Sequence, residues 1–493
     1  MPAKYHIRTR PAPPRRKPIG KYGIIDWRED CSACHNCVKR ECAYSVYNDE
    51  RDRLQGKVEY VDYLYECKGC LCCVQSCTKG LLSWDVNPEY QKMGDDVYTP
   101  DIISSTWYQS ETGSVPVSGA GYPGPFRGPG FDSILTDMSE IVRPTRDGIH
   151  GREYISTSVD IGRKPMKLEF NQDGTLATCC PPIVEIPIPI LFDARPWQKL
   201  GDAISRIILD AANELGTFAI TDEPKLTSHA AAIPHISSRG EAFADKPDAT
   251  TQHDCECFTP TGHARFTEWA DANDVIERIQ RAKSSDPDLI AIVKLPFGPN
   301  AAERAVELAR AGVDVLHLFA DWHGCVSPPQ GKIPGGMHIS LAIREVHQAL
   351  VKAGIRDEVT MIASGGISLA EQVVKSLLCG ADLVCIDIPL MVALECRLCM
   401  NCRKELRCPV DVNEIEPDYA VQRMVNLMGA WHSQMLEMMG AMGIREARRL
   451  RGEVGRAMFF DDLERDCFGP IFGERVPPGK MPGGIGGPGE EVV

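Results

Sequence analysis

No stretch of this sequence stays apolar for the roughly 18 residues that a membrane-spanning helix needs, which excludes a helical span. Positive charge is in deficit, 54 Lys and Arg against 68 Asp and Glu, for a net charge of -14. That balance argues against nucleic acid and anionic membrane surfaces as partners of the main body. A dinucleotide fingerprint is also missing. Gly119-x-Gly121-x-x-Gly124 has the literal spacing, but no strand precedes it, and Pro123 and Pro125 bar the helix that should follow. NAD(P)H is therefore not expected to bind. No apolar segment follows Arg15-Arg16, so a twin-arginine export signal does not fit. The cysteines lack the spacing of a disulfide framework.

Cysteine itself is abundant, at 21 residues, and it clusters. Residues 31–42 read C-x2-C-x2-C-x4-C and residues 67–77 read C-x2-C-x2-C-x3-C. Three closely spaced cysteines plus a fourth, occurring twice, suit iron–sulfur clusters better than structural zinc, the alternative for paired CxxC. Such clusters need a reducing compartment, so a cytoplasmic location is expected. A third group, Cys396, Cys399, Cys402 and Cys408, ends in Cys408-Pro409. It directly follows a strand–turn–helix–strand unit. Met361 to Ala363 is apolar, Ser364-Gly365-Gly366 turns, Ser368 to Leu378 is helical, and Ala381 to Ile386 is apolar again. Glycines after a strand let backbone approach a phosphate, and the next helix adds its positive N-terminus.

At 493 residues, with 43% hydrophobic and 25% charged residues, two or three soluble units are expected. Repeated βα units imply a parallel (β/α)8 barrel of α/β class behind an N-terminal two-cluster module. Its first strand is expected at Ile183–Phe192, after which a helix runs from Trp197 to Leu215 and a strand covers Gly216–Thr221. Further strands are expected at Leu289–Lys294 and Val313–Phe319, with helices at Asn300–Ala311 and Met337–Ala353. Residues 228–267 read as a polar excursion holding His229, His235, His253, Cys255, Cys257 and His263, a substrate-covering loop, a partner contact or a metal site. Tyr419 to Leu450 reads as helical. The divisions expected are a basic Pro-rich arm (1–22), the two-cluster module (23–100), a linker and lead-in (101–180), and the barrel (181–410). A helical segment (411–473) and a Gly/Pro-rich tail (474–493) complete them. The arm reads as solvated or as a strap for an acidic partner.

The paired cysteine runs resemble the bacterial two-cluster ferredoxin module. That resemblance implies one [4Fe–4S] cluster on Cys31, Cys34, Cys37 and Cys77, and a second on Cys67, Cys70, Cys73 and Cys42. Ala43 and Thr78 stand where the module has proline, and Cys72 reads as a spectator. From Phe131 to Gly452 the chain resembles the central, flavin-binding domain of the glutamate synthase family. Cys396, Cys402 and Cys408 match the family's [3Fe–4S] ligands, and the additional Cys399 makes a third [4Fe–4S] cluster the expectation. The resemblance implies FMN, with Lys294, His317, Asp321, Gly365 and Gly366 at the cofactor, and Glu223 near substrate. His323 and Cys325 stand in the family's substrate loop. They read either as proton donors or, for Cys325, as a small residue in a tight turn.

Departures from the family shape the functional expectation. Asp387 replaces a glycine-rich phosphate loop, His317 replaces a flavin-contacting glutamine, and the family's QGAKPGxGG segment is missing. The expected function is an FMN- and iron–sulfur-dependent oxidoreductase serving an electron-carrier protein or other redox subunits, and a small-molecule or carrier-bound substrate. Glutamate is not its expected product, because no glutaminase region precedes the cysteines and Trp322, His323 and Cys325 fill the dicarboxylate's place. The alternatives are a ferredoxin-dependent glutamate synthase without a glutaminase domain, and a non-catalytic electron-transfer subunit with a flavin-free barrel.

Overall fold

In the computed structural model, the residues described are 5–26, 42–44, 46, 62–64, 66–116, 130–137, 155–178, 180–223, 225–236, 264–298, 300–326, 337–404 and 406–473. Tyr22–Asp26 (β1), Asp62–Leu64 (β2) and Leu82–Val86 (β3) form an antiparallel sheet, with β1 in the centre. Pro100–Thr112 (α1) follows. Thr99 caps it by accepting from the Ile102 N–H, Pro100 sits at its first turn, and Gly113 ends it in the left-handed region. The expected linker thus begins with a helix, whose buried face (Ile103, Trp107, Ser110) packs against the long C-terminal helix.

Val159–Gly162 (β4) pairs antiparallel with Ile183–Ile186 (β5). Ile190–Asp193 (β6) opens the barrel. The strand expected over Ile183–Phe192 is therefore two strands, because Pro187 and Pro189 lack the N–H a continuous ladder needs. The helix expected from Trp197 is likewise split at Gly201 (φ 104), into a 3-10 turn at Arg195–Leu200 and Asp202–Glu214 (α2).

Ala219–Thr221 (β7), Ala232–Ile236 (β8) and Arg265–Ala270 (β9) come next. The polar excursion is corrected here: its two ends are barrel strands, and 237–263 lie outside the described residues. Val275–Ser285 (α3), Leu289–Pro296 (β10), Ala301–Arg310 (α4), Val315–Phe319 (β11) and Ile339–Lys352 (α5) continue the alternation. Thr360–Ser364 (β12), Ala370–Cys379 (α6), Leu383–Ile386 (β13) and Ile388–Ala393 (α7) complete it. Strands β6 to β13 lie in chain order, each parallel to the next, and β13 closes on β6. Strands such as β10, buried at Leu289 to Val293, read as continuous apolar runs because both faces are covered.

Pro417–Ala441 (α8) starts at Glu416, which accepts from the Tyr419 N–H at 2.8 Å, and stops well short of Leu450. It lies over α1, α2 and α6 and holds the N-terminal arm. The Arg423 guanidinium donates to the Ala12 carbonyl at 2.7 Å, and Asn426 Nδ2 donates to the Arg10 carbonyl at 2.7 Å. Arg15 donates its N–H to Glu395 Oε1 at 2.7 Å and its guanidinium to the Val410 carbonyl at 2.8 Å, while Arg16 pairs with Asp411. The described part of the arm runs along this chain, with Ala12, Ile19 and Gly20 buried and Arg8, Arg10, Arg16 and Lys17 exposed. Its acidic counterparts, Glu395 and Asp411, lie nearly four hundred residues away, flanking the third cysteine group. No helix among the described residues is long and apolar enough to cross a membrane.

Candidate active site at the barrel mouth

The C-terminal ends of the barrel strands converge on Glu268. Period-2 alternation along β9 points Phe266 and Glu268 to one face. The carboxylate is fully buried and takes three partners from three other strand ends. Arg195 Nη1 donates to Oε2 at 2.6 Å, His235 Nδ1 lies 2.6 Å from the same oxygen, and His317 Nδ1 engages Oε1. Arg195 also grips Asp193 bidentately, at 2.8 and 2.6 Å. On the far side of His317, Nε2 lies 2.9 Å from Ser364 Oγ.

The charges follow from these contacts. Burial pushes the Glu268 carboxyl up, but Arg195, His317 and the histidine hydrogen bonds overcome it and hold the pKa well below 4.5. Burial lowers His317 below 6.5 despite the carboxylate. His317 is therefore a neutral imidazole beside a carboxylate at neutral pH.

Lys294, at the end of β10, is half-buried with Nζ 4.5 Å from the centre of the Phe319 ring. It has no ion-pair partner among the described residues. An unpaired cation at a barrel mouth fits the electron-rich edge of a flavin. Gly365 (φ 107) and Gly366 (φ 67) form the turn expected to cradle phosphate. Their lack of side chains already serves the protein: a Cβ on Gly365 would stand 2.5 Å from the Asp321 carbonyl oxygen, and one on Gly366 2.5 Å from Gly324 Cα. His317 has both ring nitrogens engaged, so it meets the mouth through Ser364 rather than directly. Asp321 is exposed, and its Oδ1 accepts from the N–H groups of His323 and Cys325.

Asp387 caps α7 by accepting from the Ile388 N–H at 2.6 Å. Burial, followed by the Asp193 charge, raises its pKa to about 6. A folded-state pKa above the usual 3.8 means stability is lost as pH rises from about 4 to 6 and stays lost above. Asp387→Asn keeps the capping oxygen and removes the charge. We expect it to raise stability at pH 8 by about 2 kcal/mol, a figure reduced for partial exposure, with the gain vanishing near pH 4. Denaturant midpoints at the two pH values check this.

The other expected site residues lie apart from Glu268. Glu223 stands just past β7, its N–H donating to Thr221 Oγ1 at 3.1 Å. His323 Nε2 is 3.0 Å from Asp95, so this loop is tied to the N-terminal part of the chain. Cys325 is half-buried, and burial raises its thiol pKa, which makes the thiolate scarce. Sequence reading passed over Asp193, Arg195 and Glu268, placed His235 in a polar excursion and gave Ser364 only to the glycine turn. The signal available was a charged or polar residue at the end of each apolar strand.

Cys396, Cys399, Cys402 and Cys408 line one pocket, together with Trp197 and Trp322. Glu395, Leu398 and Met400 have positive φ without being glycine, a costly backbone that shapes the cysteine loop. The Leu398 N–H donates to Cys396 Sγ at 3.4 Å, and burial, then the neighbouring thiols, raises the Cys396 pKa to about 12. A bound iron cluster would reverse that by taking the sulfurs as thiolates. Cys42, Cys67, Cys70 and Cys73 are mutually close: Cys73 is pushed up to about 11 by burial, then by Cys67, with Cys42 and Cys70 adding. Cys77 stands with the Leu81 N–H at 3.3 Å, and Cys31, Cys34 and Cys37 lie outside the described residues. Among the described residues no three ligands converge on a single metal ion. Four thiols around a wider pocket suit a multi-iron cluster, whose iron atoms stand between the sulfurs.

The family model described as the conserved region in glutamate synthase matches residues 251–445. The archaeal glutamate synthase [NADPH] of Archaeoglobus fulgidus is 25% identical, covering 90% of this chain and 96% of its own length. The archaeal-type glutamate synthase [NADPH] of Dehalococcoides mccartyi is 25% identical, over 87% and 93% respectively. The ferredoxin-dependent glutamate synthase of Cyanidium caldarium is 28% identical over 51% of this chain and 17% of its own. Strands β9 to β13, the third cysteine group and α8 all fall within the matched region, so the similarity to the glutamate synthases runs through the part of the barrel that carries the candidate active site.

Proposed function

We propose that this chain is an FMN- and iron–sulfur-dependent oxidoreductase, glutamate synthase-like, that passes electrons between ferredoxin-like clusters and a substrate at the barrel mouth. The observation that carries the reading is adjacency. Trp322, from the loop that packs on Gly365 and Gly366, also lines the four-cysteine pocket, and so does Trp197, two residues beyond the Arg195 that binds Glu268. Redox centre and mouth share a wall.

Lys294 would face the flavin's electron-rich edge, and the Gly365–Gly366 turn would present backbone to its phosphate. Bound there, a flavin supplies hydride transfer at one side and single-electron exchange at the other. Glu223, His323 and Cys325 would face the substrate. The three cysteine groups would hold three [4Fe–4S] clusters, within the sequence divisions given above. An electron carrier or other redox subunits of a larger cytoplasmic complex would dock near them.

Protein purified without air should carry flavin and twelve iron atoms per chain, from three clusters of four. Cys399→Ser should convert the third cluster alone, leaving a three-iron resonance signal. Zinc in place of iron, or an unchanged spectrum in the variant, refutes the assignment. The second reading, glutamate synthesis, is favoured by the names of the similar proteins. Reduced ferredoxin, 2-oxoglutarate and glutamine or ammonia should yield no glutamate; turnover on the order of 1 per second would establish the second reading instead.

A further inference from the structure

We propose that Ser364, His317 and Glu268 form a proton-transfer relay that takes the exchangeable proton of a hydroxyl or amino group on the substrate carbon being oxidised. The inference rests on the oxidoreductase reading, and it adds the proton's route and the substrate class.

Geometry carries it. Ser364 closes β12, is half-buried, and sits immediately before the Gly365–Gly366 turn at the mouth. Its hydroxyl lies 2.9 Å from His317 Nε2. The opposite nitrogen, Nδ1, is held by Glu268 Oε1, which fixes the tautomer: Nδ1 carries the hydrogen, and Nε2 offers its lone pair to the serine O–H. Glu268 cannot swing away, because Arg195 and His235 both hold its other oxygen at 2.6 Å. A hydroxyl, an imidazole and an immobilised carboxylate in this order make a base-activated oxygen wherever they occur.

The step balances as follows. The substrate's O–H or N–H proton passes to Ser364 Oγ as the serine proton passes to His317 Nε2. The electron pair left on the heteroatom would form the C=O or C=N bond, and the C–H hydrogen would leave with its pair as hydride, for which a flavin, when bound, would be the two-electron acceptor. The imidazolium is stabilised by Glu268. The groups facing His317 are Glu268 on β9, Lys294 on β10, Arg195 beyond β6 and Ser364 on β12. The two cations favour return of the proton once product has left. None of these residues was singled out as catalytic from sequence, and the family's glutamine at position 317 could orient a ligand but could not take a proton.

The test is covalent and needs neither turnover nor a known substrate. Diisopropyl fluorophosphate is added to the full chain, with and without its flavin, and labelled peptides are identified by mass spectrometry. Ser364 Oγ attacks phosphorus, fluoride leaves, and the proton goes to His317 Nε2. Wild type should label at Ser364, at a rate that is flat through neutral pH and falls only on the acid side of the ordinary histidine range, because burial lowers the His317 pKa. Ser364→Ala should remove the label. His317→Gln, which matches the family and keeps the site filled, should slow labelling on the order of 100-fold with an unchanged melting temperature. Absence of label at Ser364 in both forms, or an equal rate in His317→Gln, overturns the relay. Labelling in a chain that binds no flavin supports the relay and refutes the oxidoreductase reading, whereas flavin without labelling does the reverse.

Discussion

Glu268→Ala is expected to destabilise the protein by about 3–5 kcal/mol, the usual cost of removing one partner from a buried ion pair. The magnitude follows from what is left behind. Arg195 keeps Asp193, but a guanidinium buried for two carboxylates would face one, and the Nδ1–H of His317 would face a void. Alanine recovers some apolar burial, worth less than the lost compensation of a buried charge. The sign of the pH dependence discriminates this from simple cavity formation. Because the folded Glu268 pKa lies well below 4.5, its contribution is present in full above about pH 5 and fades as pH falls through the folded value. Wild type and variant should therefore converge at strongly acid pH. Urea titrations carried from pH 8 down to about pH 2 measure it, and a difference that persists unchanged at the acid end would show that packing, not charge, dominates.

Gly366→Ala is the other large effect. Gly366 has φ +67, and an added Cβ would stand 2.5 Å from Gly324 Cα, 2.6 Å from Gly324 N and 2.7 Å from His323 C. All three are backbone atoms, so no rotamer change relieves the contact. Left-handed strain adds about 1–2 kcal/mol and overpacking about 1–3, for a loss of about 2–5 kcal/mol. Moving the 321–325 loop also breaks the 3.0 Å contact of His323 with Asp95 and pulls Trp322 from the cysteine pocket. Gly312→Ala separates strain from clash: φ is +95 there, but nothing lies within 4 Å of the added carbon. It should cost the strain alone. Thermal melts give the ranking, and tryptophan fluorescence should change in Gly366→Ala only.

The arm shows how far charge pattern reads. Arg15 and Arg16 belong to the basic arm legible in the sequence, yet nothing local names Glu395 and Asp411 as their acceptors. Sequence alternation also misled between 228 and 267. His235 and Glu268 interrupt their strands' apolar pattern because they point into the mouth, where they pair with each other. A strand that contributes to a polar site loses the apolar run by which strands are recognised.

Sequence alone determined the parallel barrel, through apolar runs β10 to β13 alternating with helices, and the three cysteine groups, through their spacing. Those features are local: burial on both faces of a strand, or cysteines spaced within a dozen residues, leave a periodic trace. Tertiary structure alone decided that Asp193, Arg195, His235, Glu268, His317 and Ser364 form one network, because five different strands supply them, with only Asp193 and Arg195 sharing one strand end. It also decided that Gly365 and Gly366 are glycine because another loop's backbone lies against them. Contacts closed by folding across tens or hundreds of residues carry no period, so nothing along the chain records them.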